Sequence, residues 1–207
     1  MATLNEQLVT LTANYSPCDV SDALLKLQKM PEGSTARAGY LADLVPFSPT
    51  TGRNETIPKI AAPATTFKFL AKDITSPENQ YCAVTGGIMA TRMKALGIKA
   101  TVVGGRVRDL KELQATGLPI WARATSTVGS NAEAKAGARD VPVSIGGVPV
   151  SPGDIIFCDP LEGVVAIPRE LLDQVLELMP KLTRMDEQAK EAVALGMSVT
   201  DAFKKFR

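Results

Sequence analysis

The chain has 207 residues, 45% of them hydrophobic, with 23 basic and 22 acidic side chains, no histidine and a formal net charge of +1. That length and apolar content fit one globular domain over residues 1–207 with a sizeable core, and the near-neutral balance gives no basic stripe for nucleic acid. Without histidine a Ser-His-Asp or Cys-His centre and any His-ligated zinc or iron site are excluded, so acid–base work falls to carboxylates, lysine, tyrosine or bound water.

No apolar run approaches membrane-spanning length, and the N-terminus (Met1-Ala2-Thr3-Leu4-Asn5-Glu6) lacks the charged-then-apolar pattern of a signal peptide. Cys18, Cys82 and Cys158 form an odd, scattered set, which fits a reduced cytoplasm in which each is a small buried apolar residue. Along the chain, Ser16-Pro17-Cys18-Asp19 reads as a helix start, with Ser16 as N-cap and Asp19 three residues on, and the helix continues through Val20, Ala23, Leu24 and Leu27. Pro31 to Arg53 is rich in Gly, Pro, Ser and Thr and reads mostly as loop, and Ile60 to Phe69 as one strand. Gly86 and Gly87 open a helix in which Ile88, Met89 and Leu96 recur at helical spacing, with Gly97 at its C-cap. Ala100 to Val103 is a short buried strand, and Gly104-Gly105 reads as the turn that presents Arg108 beside Asp109.

Further strands are expected at Ile120 to Ala124, Val141 to Ile145, Ile155 to Cys158 and Val164 to Ile167, with a hairpin turn at Gly146-Gly147. Trp121 reads as core, and Asp159 and Glu162 as structural residues of a turn. Pro168 starts a helix carrying Leu171, Leu172, Val175, Leu176 and Met179, which Pro180 ends or kinks; an amphipathic helix pair then runs from Asp186 to Phe206, broken around Gly196. Helices at both ends around a strand-rich centre predict a mixed α/β class with a layered core.

Chemistry concentrates between Gly86 and Glu112. A helix N-terminus offers backbone N–H groups to an anion, and the missing side chains of Gly86 and Gly87 admit a small ligand. Arg108 can fork onto a carboxylate or oxyanion, and Asp109 can hold a hard divalent cation. Taken singly, the glycine pair is an ordinary tight turn, Arg108-Asp109 a surface ion pair, and Glu112 a first-turn helix acid. Taken together they describe a pocket for a small metal-bound carboxylate. Lys94 and Lys99 lack the apolar surroundings a Schiff-base lysine needs.

These residues carry a resemblance. Cys18-Asp19-Val20-Ser21-Asp22-Ala23-Leu24, Lys59-Ile60-Ala61-Ala62-Pro63-Ala64-Thr65-Thr66, the Gly87-to-Glu112 motif, Ser151-Pro152-Gly153-Asp154 and Asp159-Pro160-Leu161-Glu162-Gly163-Val164-Val165 follow one another in the order seen in the RraA-like family. Within it, the chain resembles the class II 4-hydroxy-4-methyl-2-oxoglutarate aldolases. The resemblance implies an α-β-β-α sandwich of the swivelling-domain, phosphohistidine-domain-like type, assembled as homotrimers or homohexamers with sites near subunit interfaces. It also implies Mg²⁺ or Mn²⁺ and cleavage of 4-hydroxy-2-oxo acids to pyruvate, with oxaloacetate decarboxylation alongside. Carried over, Asp109 contacts the metal, Glu112 stands in its outer sphere, Arg108 binds the keto oxygen and stabilises the enolate, and backbone groups of Gly86, Gly87, Ile88 and Met89 receive the carboxylate. One well-placed donor of the Arg108 kind is worth ~3–4 kcal/mol in such reactions.

Two departures stand out. Some aldolases of the family carry a proton-transferring aspartate where this chain has Gly87, and members usually have a longer connection, with its own strand, than Leu70 to Asn79 provides. The base for the C4 hydroxyl is then a metal-linked water or a carboxylate of a neighbouring subunit. A different class within the family binds and inhibits an RNA-degrading endonuclease without required catalysis. Those proteins generally lack the full Arg-Asp-x-x-Glu pattern that this chain keeps. A third expectation is a metal-binding relative acting on another small oxo acid.

Overall fold

The computed structural model describes residues 2–29, 36–49, 57–71 and 81–207. Two helices open the chain, α1 (Leu4–Asn14) and α2 (Pro17–Leu27), and each starts on a capping box. Ser16 and Asp19 make the second box, as their spacing predicts; Thr3 and Glu6 make the first by the same chemistry. At the other end α5 (Leu172–Ala194) packs on α2 and is followed by α6 (Val199–Phe206).

The strands form two main sheets. One is antiparallel, in the order β11 (Gly163–Ile167), β10 (Ile155–Asp159), β2 (Ile60–Pro63). The other has the order β1 (Val45–Ser48), β6 (Ile120–Thr125), β5 (Thr101–Val107), β4 (Ala83–Thr85), with β4, β5 and β6 parallel and β1 antiparallel at the edge. Helices α3 (Gly87–Ala95) and α4 (Leu110–Thr116) are the crossovers of this parallel unit. A ribbon of β3 (Phe67–Ala71) with β7 (Ala134–Arg139) and a hairpin of β8 (Val143–Ile145) with β9 (Val148–Val150) complete it.

Side-chain alternation explains the layers. On β10 and β11, Ile155, Phe157, Val165 and Ile167 face Leu11, Val20, Leu24, Leu172, Val175 and Met179 of the helices. Their neighbours Cys158, Val164 and Ala166 face the other way, against Trp121, Leu41, Leu44 and the β8–β9 hairpin. The parallel sheet repeats the pattern, sending Trp121 inward while Ile120, Ala122, Val103 and Val107 meet Ala90 and Leu113 of α3 and α4. The result is the expected α-β-β-α sandwich, and sheets covered on both faces are why these strands read as near-continuous apolar runs.

Several expectations change. The Pro31-to-Arg53 loop contains β1 and a bridge between Tyr40 and Val165, so the chain here crosses from one sheet to the other; residues 30–35 and 50–56 lie outside the described residues. Gly39 makes the crossing possible, because a Cβ on it would stand 2.3 Å from the Ala166 carbonyl oxygen, and its φ is +73°. Ile60 to Phe69 divides into β2 and β3, which belong to different sheets, at a break held by Ala64 N–H donating to Asp154 O and Thr66 Oγ1 donating to Val141 O. Pro180 lies inside α5 and does not end it. It removes one backbone donor, yet Met179 before it and Leu182 after it pack on the same core, and the helix carries on through Asp186 to Ala194. The final break falls near Gly196 as expected. Residues 72–80, most of the short connection after β3, lie outside the described residues. Among the described residues no helix is long and apolar enough to cross a membrane.

Cys82 and Cys158 are buried, whereas Cys18 is exposed. It occupies the second position of α2, where its thiol donates to Glu162 Oε2 at 3.0 Å. Asp159 is structural: nearly buried, it pairs with Lys59 Nζ at 3.2 Å and accepts N–H bonds from Leu161 and Glu162.

Candidate functional site

The carboxyl ends of parallel strands are where an α/β sheet opens a crevice for ligands. Here β4 ends at Thr85 and delivers Gly86-Gly87, β5 ends at Val107 and delivers Arg108-Asp109, and β6 ends at Thr125 and delivers Ser126 to Gly129. Arg108 N–H donates to Thr85 O, Ser126 N–H to Val107 O and Ala83 N–H to Val128 O, so the three segments are tied side by side. At the ends of β5 and β6 lies a cavity of about 580 Å³ that includes Tyr81, Arg106, Arg108, Asp109 and Ser126 in its wall, with the glycine pair behind Arg108 and Asp109.

Gly104-Gly105 is not the turn that presents Arg108. Both glycines lie inside β5, and the register against β6 slips by one residue between Val103 and Arg106. A bulge, rather than a turn, thus re-aims the strand before the site. Asp109 is the N-cap of α4 and sits in the left-handed region at φ 60°, ψ 45°. That strained corner swings its carboxylate back across the glycine pair, where Oδ2 accepts Gly87 N–H at 3.3 Å and meets Arg108 Nε at 3.4 Å.

The bareness of the glycines is used fully. A Cβ on Gly86 would stand 2.5 Å from Asp109 Oδ2 and 3.2 Å from Arg108 Cγ. One on Gly129 would stand 2.9 Å from Arg108 Nη1, so the arginine runs between two residues that have no side chain. One on Gly87 would stand 1.8 Å from Glu112 Oε2 and 2.6 Å from its Cβ. The space that a side chain at position 87 would fill therefore holds the carboxylate of Glu112, reaching in from the first turn of α4.

The sequence-expected residues Gly86, Gly87, Arg108, Asp109 and Glu112 thus meet at one place. The Ile88 and Met89 N–H groups belong to the first turn of α3, where a helix has no internal acceptor for them. The side chains of these two residues, by contrast, are exposed, Ile88 at 84%; the buried positions of α3 are Gly87 and Ala90. Lys94 and Lys99 are exposed. Among the described residues no three carboxylate or thiol groups gather into a metal cage. The donor set that exists, Asp109 at 38% exposure with Glu112 nearby, suits a hard divalent ion that keeps most of its waters and takes one or two carboxylates.

Sequence reasoning missed Tyr81, Arg106 and the segment after β6. Arg106 and residues 126–129 sit where β5 and β6 end, and Tyr81 precedes the short β4, whose first residue pairs with Arg106; only the strand order shows that these positions meet.

Fold and site together define a parallel βαβαβ protein that gathers an arginine, an aspartate and a helix N-terminus at one sheet edge. The model of the RraA-like family, described as Aldolase/RraA, matches residues 17–166, and the chain belongs to that family. A Halalkalibacterium halodurans protein provisionally named 4-hydroxy-4-methyl-2-oxoglutarate aldolase is 36% identical over 121 residues, 58% of this chain and 57% of that protein. The matches span less than two thirds of the length of this relative and of two other curated ones. Among solved structures, an uncharacterized Pseudomonas syringae protein superposes with a TM-score of 0.75 at 22% identity, covering 100% of this chain and 96% of its own. Streptomyces coelicolor RraAS2, described as an unusual member of the RNase ES inhibitor RraA family, superposes with a TM-score of 0.70 at 21% identity, covering 95% and 99%. Both share the fold.

Proposed function

We propose that the chain is a divalent-metal-dependent carbon–carbon lyase that cleaves 4-hydroxy-2-oxo acids of the 4-hydroxy-4-methyl-2-oxoglutarate type to pyruvate, and decarboxylates oxaloacetate at the same site. The observation that carries this reading is the packing of Arg108, Asp109 and Glu112 against Gly86-Gly87 at the carboxyl ends of β4 and β5. The provisional name of the Halalkalibacterium relative supports the substrate class.

Breaking the C3–C4 bond of such an acid leaves an electron pair that delocalises onto the C2 oxygen. Arg108 puts a fixed positive charge at that oxygen, where the charge grows during the reaction. The N–H groups of Ile88 and Met89 receive the C1 carboxylate at the start of α3. Asp109 would hold a Mg²⁺ or Mn²⁺ ion with Glu112 in its outer sphere, and the ion supplies Lewis-acid polarisation of the 2-oxo acid when bound. Glu112 Oε2, which occupies the space of a side chain at position 87, would take the proton that leaves the C4 hydroxyl and return it to C3 of the enolate to release pyruvate, in the role an aspartate at position 87 would fill. Loss of CO₂ from oxaloacetate leaves the same electron pair, so Arg108 serves both reactions. Assembly as a trimer or its doubled form would cover the exposed Ile88 and Met89 beside the site.

The test is pyruvate release from oxaloacetate, followed by a coupled assay with and without Mg²⁺. Metal-dependent turnover that EDTA abolishes is expected. A chain of this fold that acts solely by binding an RNA-degrading enzyme would release no pyruvate above the uncatalysed rate.

A further inference from the structure

Glu133 takes no part in the chemistry above, yet its carboxylate reaches across to the start of β4. The residue closes the short 3₁₀ turn Ser130–Ala132 that follows β6, with its own N–H donating to Ser130 O at 3.2 Å. From there Oε2 accepts the N–H groups of Tyr81 at 2.8 Å and Cys82 at 3.0 Å, the two residues that lead into β4. A carboxylate that accepts two successive backbone donors makes a stronger clip than a neutral acceptor would. Next along, Ala83 N–H donates to Val128 O at 2.8 Å, and Ala83 bridges Gly129 in parallel register. Residues 81–83 and 128–133 are therefore fastened together at both ends.

The fork of Arg108 lies against this fastened pair. A Cβ on Gly129 would stand 2.9 Å from Nη1, 3.3 Å from Cζ and 3.6 Å from Nη2, so the guanidinium rests on bare backbone there. At the other end of the group, Nε meets Asp109 Oδ2 at 3.4 Å. The Arg108 side chain is 45% exposed, so these two neighbours, rather than burial, define where its fork points. Asp109 is set by the start of α4; Gly129 is set by how the two loops are joined.

We propose that Glu133 is a positioning residue: by clipping Tyr81 and Cys82 to the segment after β6 it sets where Gly129 lies, and through Gly129 it sets where the Arg108 fork lies. The consequence for turnover rests on the lyase reading; the consequence for the arginine does not. A misplacement of about 1 Å costs on the order of 100-fold in rate, so a fork released by part of that distance costs about tenfold.

The experiment is NMR of the ¹⁵N-labelled full chain, reading the Arg108 Nε–H signal, which is identified by its loss in Arg108→Lys. Glu133→Ala removes the acceptor, whereas Glu133→Gln keeps a carbonyl oxygen in its place. Gly129 has φ −75° and ψ 160°, backbone that alanine adopts freely, so Gly129→Ala displaces the fork with the clip intact. Glu133→Ala should shift the Arg108 signal, as Gly129→Ala does, and speed amide exchange at Tyr81 and Cys82 at least about tenfold. Pyruvate release from oxaloacetate should fall about tenfold in kcat in the same variant, and Glu133→Gln should restore most of each change. Glu133→Asp, one methylene too short to reach both donors, gives the same readings where Glu133→Ala does not fold. A purely structural role would lower Tm and leave the Arg108 signal where it is. An unmoved Arg108 signal in Glu133→Ala and Glu133→Asp, an unmoved signal in Gly129→Ala, or a Glu133→Gln that behaves like Glu133→Ala would each overturn the assignment. The lyase reading fails separately, by absence of pyruvate release from wild type while the Arg108 shift is still observed.

Discussion

Gly86→Ala separates the site from the fold. Gly86 has φ −140° and ψ −169°, ordinary extended backbone, so alanine introduces no strain there. Its methyl group would stand 2.5 Å from Asp109 Oδ2, about 0.9 Å short of ordinary contact, and 3.2 Å from Arg108 Cγ. The neighbours that must give way are side chains, 38% and 45% exposed, and they can swing outward into solvent. Stability should therefore change by no more than about 1 kcal/mol, a shift of roughly 2–4 °C in Tm for a chain of this size. Catalysis is less forgiving, because a displacement near 1 Å of a group that must meet the developing charge costs on the order of 100-fold in rate. The measurement is pyruvate release from oxaloacetate with Mg²⁺, run beside a thermal melt of the same preparation. Turnover within about threefold of wild type would refute the reasoning, since the pair would then not need its present position. Gly87→Ala should be harsher: Glu112 Cβ is 2.6 Å from the new methyl group, so the whole glutamate must leave.

Asp109→Asn keeps a residue that tolerates the left-handed corner at φ 60° and removes the charge, so it should fold normally and lose metal-dependent turnover; Asp109→Ala should lose the same activity and also about 1 kcal/mol of stability from the strained backbone, and undiminished Mg²⁺ binding in either variant would contradict the placement of the ion. Arg108→Lys should retain Mg²⁺ affinity by calorimetry while kcat falls about 10²–10³-fold, because lysine keeps the charge without the planar fork. The Cys18 thiol, pushed up to about 11 by its hydrogen bond to Glu162 and then by partial burial, holds its proton more tightly folded than unfolded. Its small contribution to stability is thus present below the ordinary thiol range and lost as pH rises towards 11; iodoacetamide should label it slowly at pH 8 and faster in Glu162→Gln, and equal rates would show that the hydrogen bond is not what protects it. Light scattering at micromolar concentration should give the mass of three or six chains of 21.9 kDa, and a monomeric mass would remove the assembly from the proposal.

What was legible in the sequence is what local chemistry decides. Ser16 and Asp19 announce the start of α2 because a capping box needs just those groups at that spacing, and Gly146-Gly147 closes the β8–β9 hairpin with both residues at positive φ. Helix α1 carried the same signal in Thr3 and Glu6, where it went unread. Strand β7 could not be read at all: Ala134 to Arg139 contains no β-branched or aromatic residue and is extended because β3 pairs with it. The β2–β3 division was equally hidden, since an apolar run does not say which of two sheets each half will join.

The candidate site follows the same division. Gly86, Gly87, Arg108, Asp109 and Glu112 were legible because each marks the end of a strand or the start of a helix, and consecutive parallel strands bring such ends to one edge. Arg106 was not, and the reason lies in Gly104-Gly105. Read as a turn, that pair ends the strand before Arg106; observed as a bulge, it lets β5 continue to Val107 and slip by one residue against β6. A glycine pair permits either outcome, and what decides between them is the tertiary partner, here Ile145, whose side chain lies 3.2 Å from where a Gly104 Cβ would stand. The same slip that defeats the local reading carries Arg106 to the end of the sheet beside Arg108. Substituting Gly104 with a bulkier residue should therefore press on Ile145 and shift Arg106 where it leaves the strand, because the bulge sets that point while Asp109 and Glu112 are held by α4.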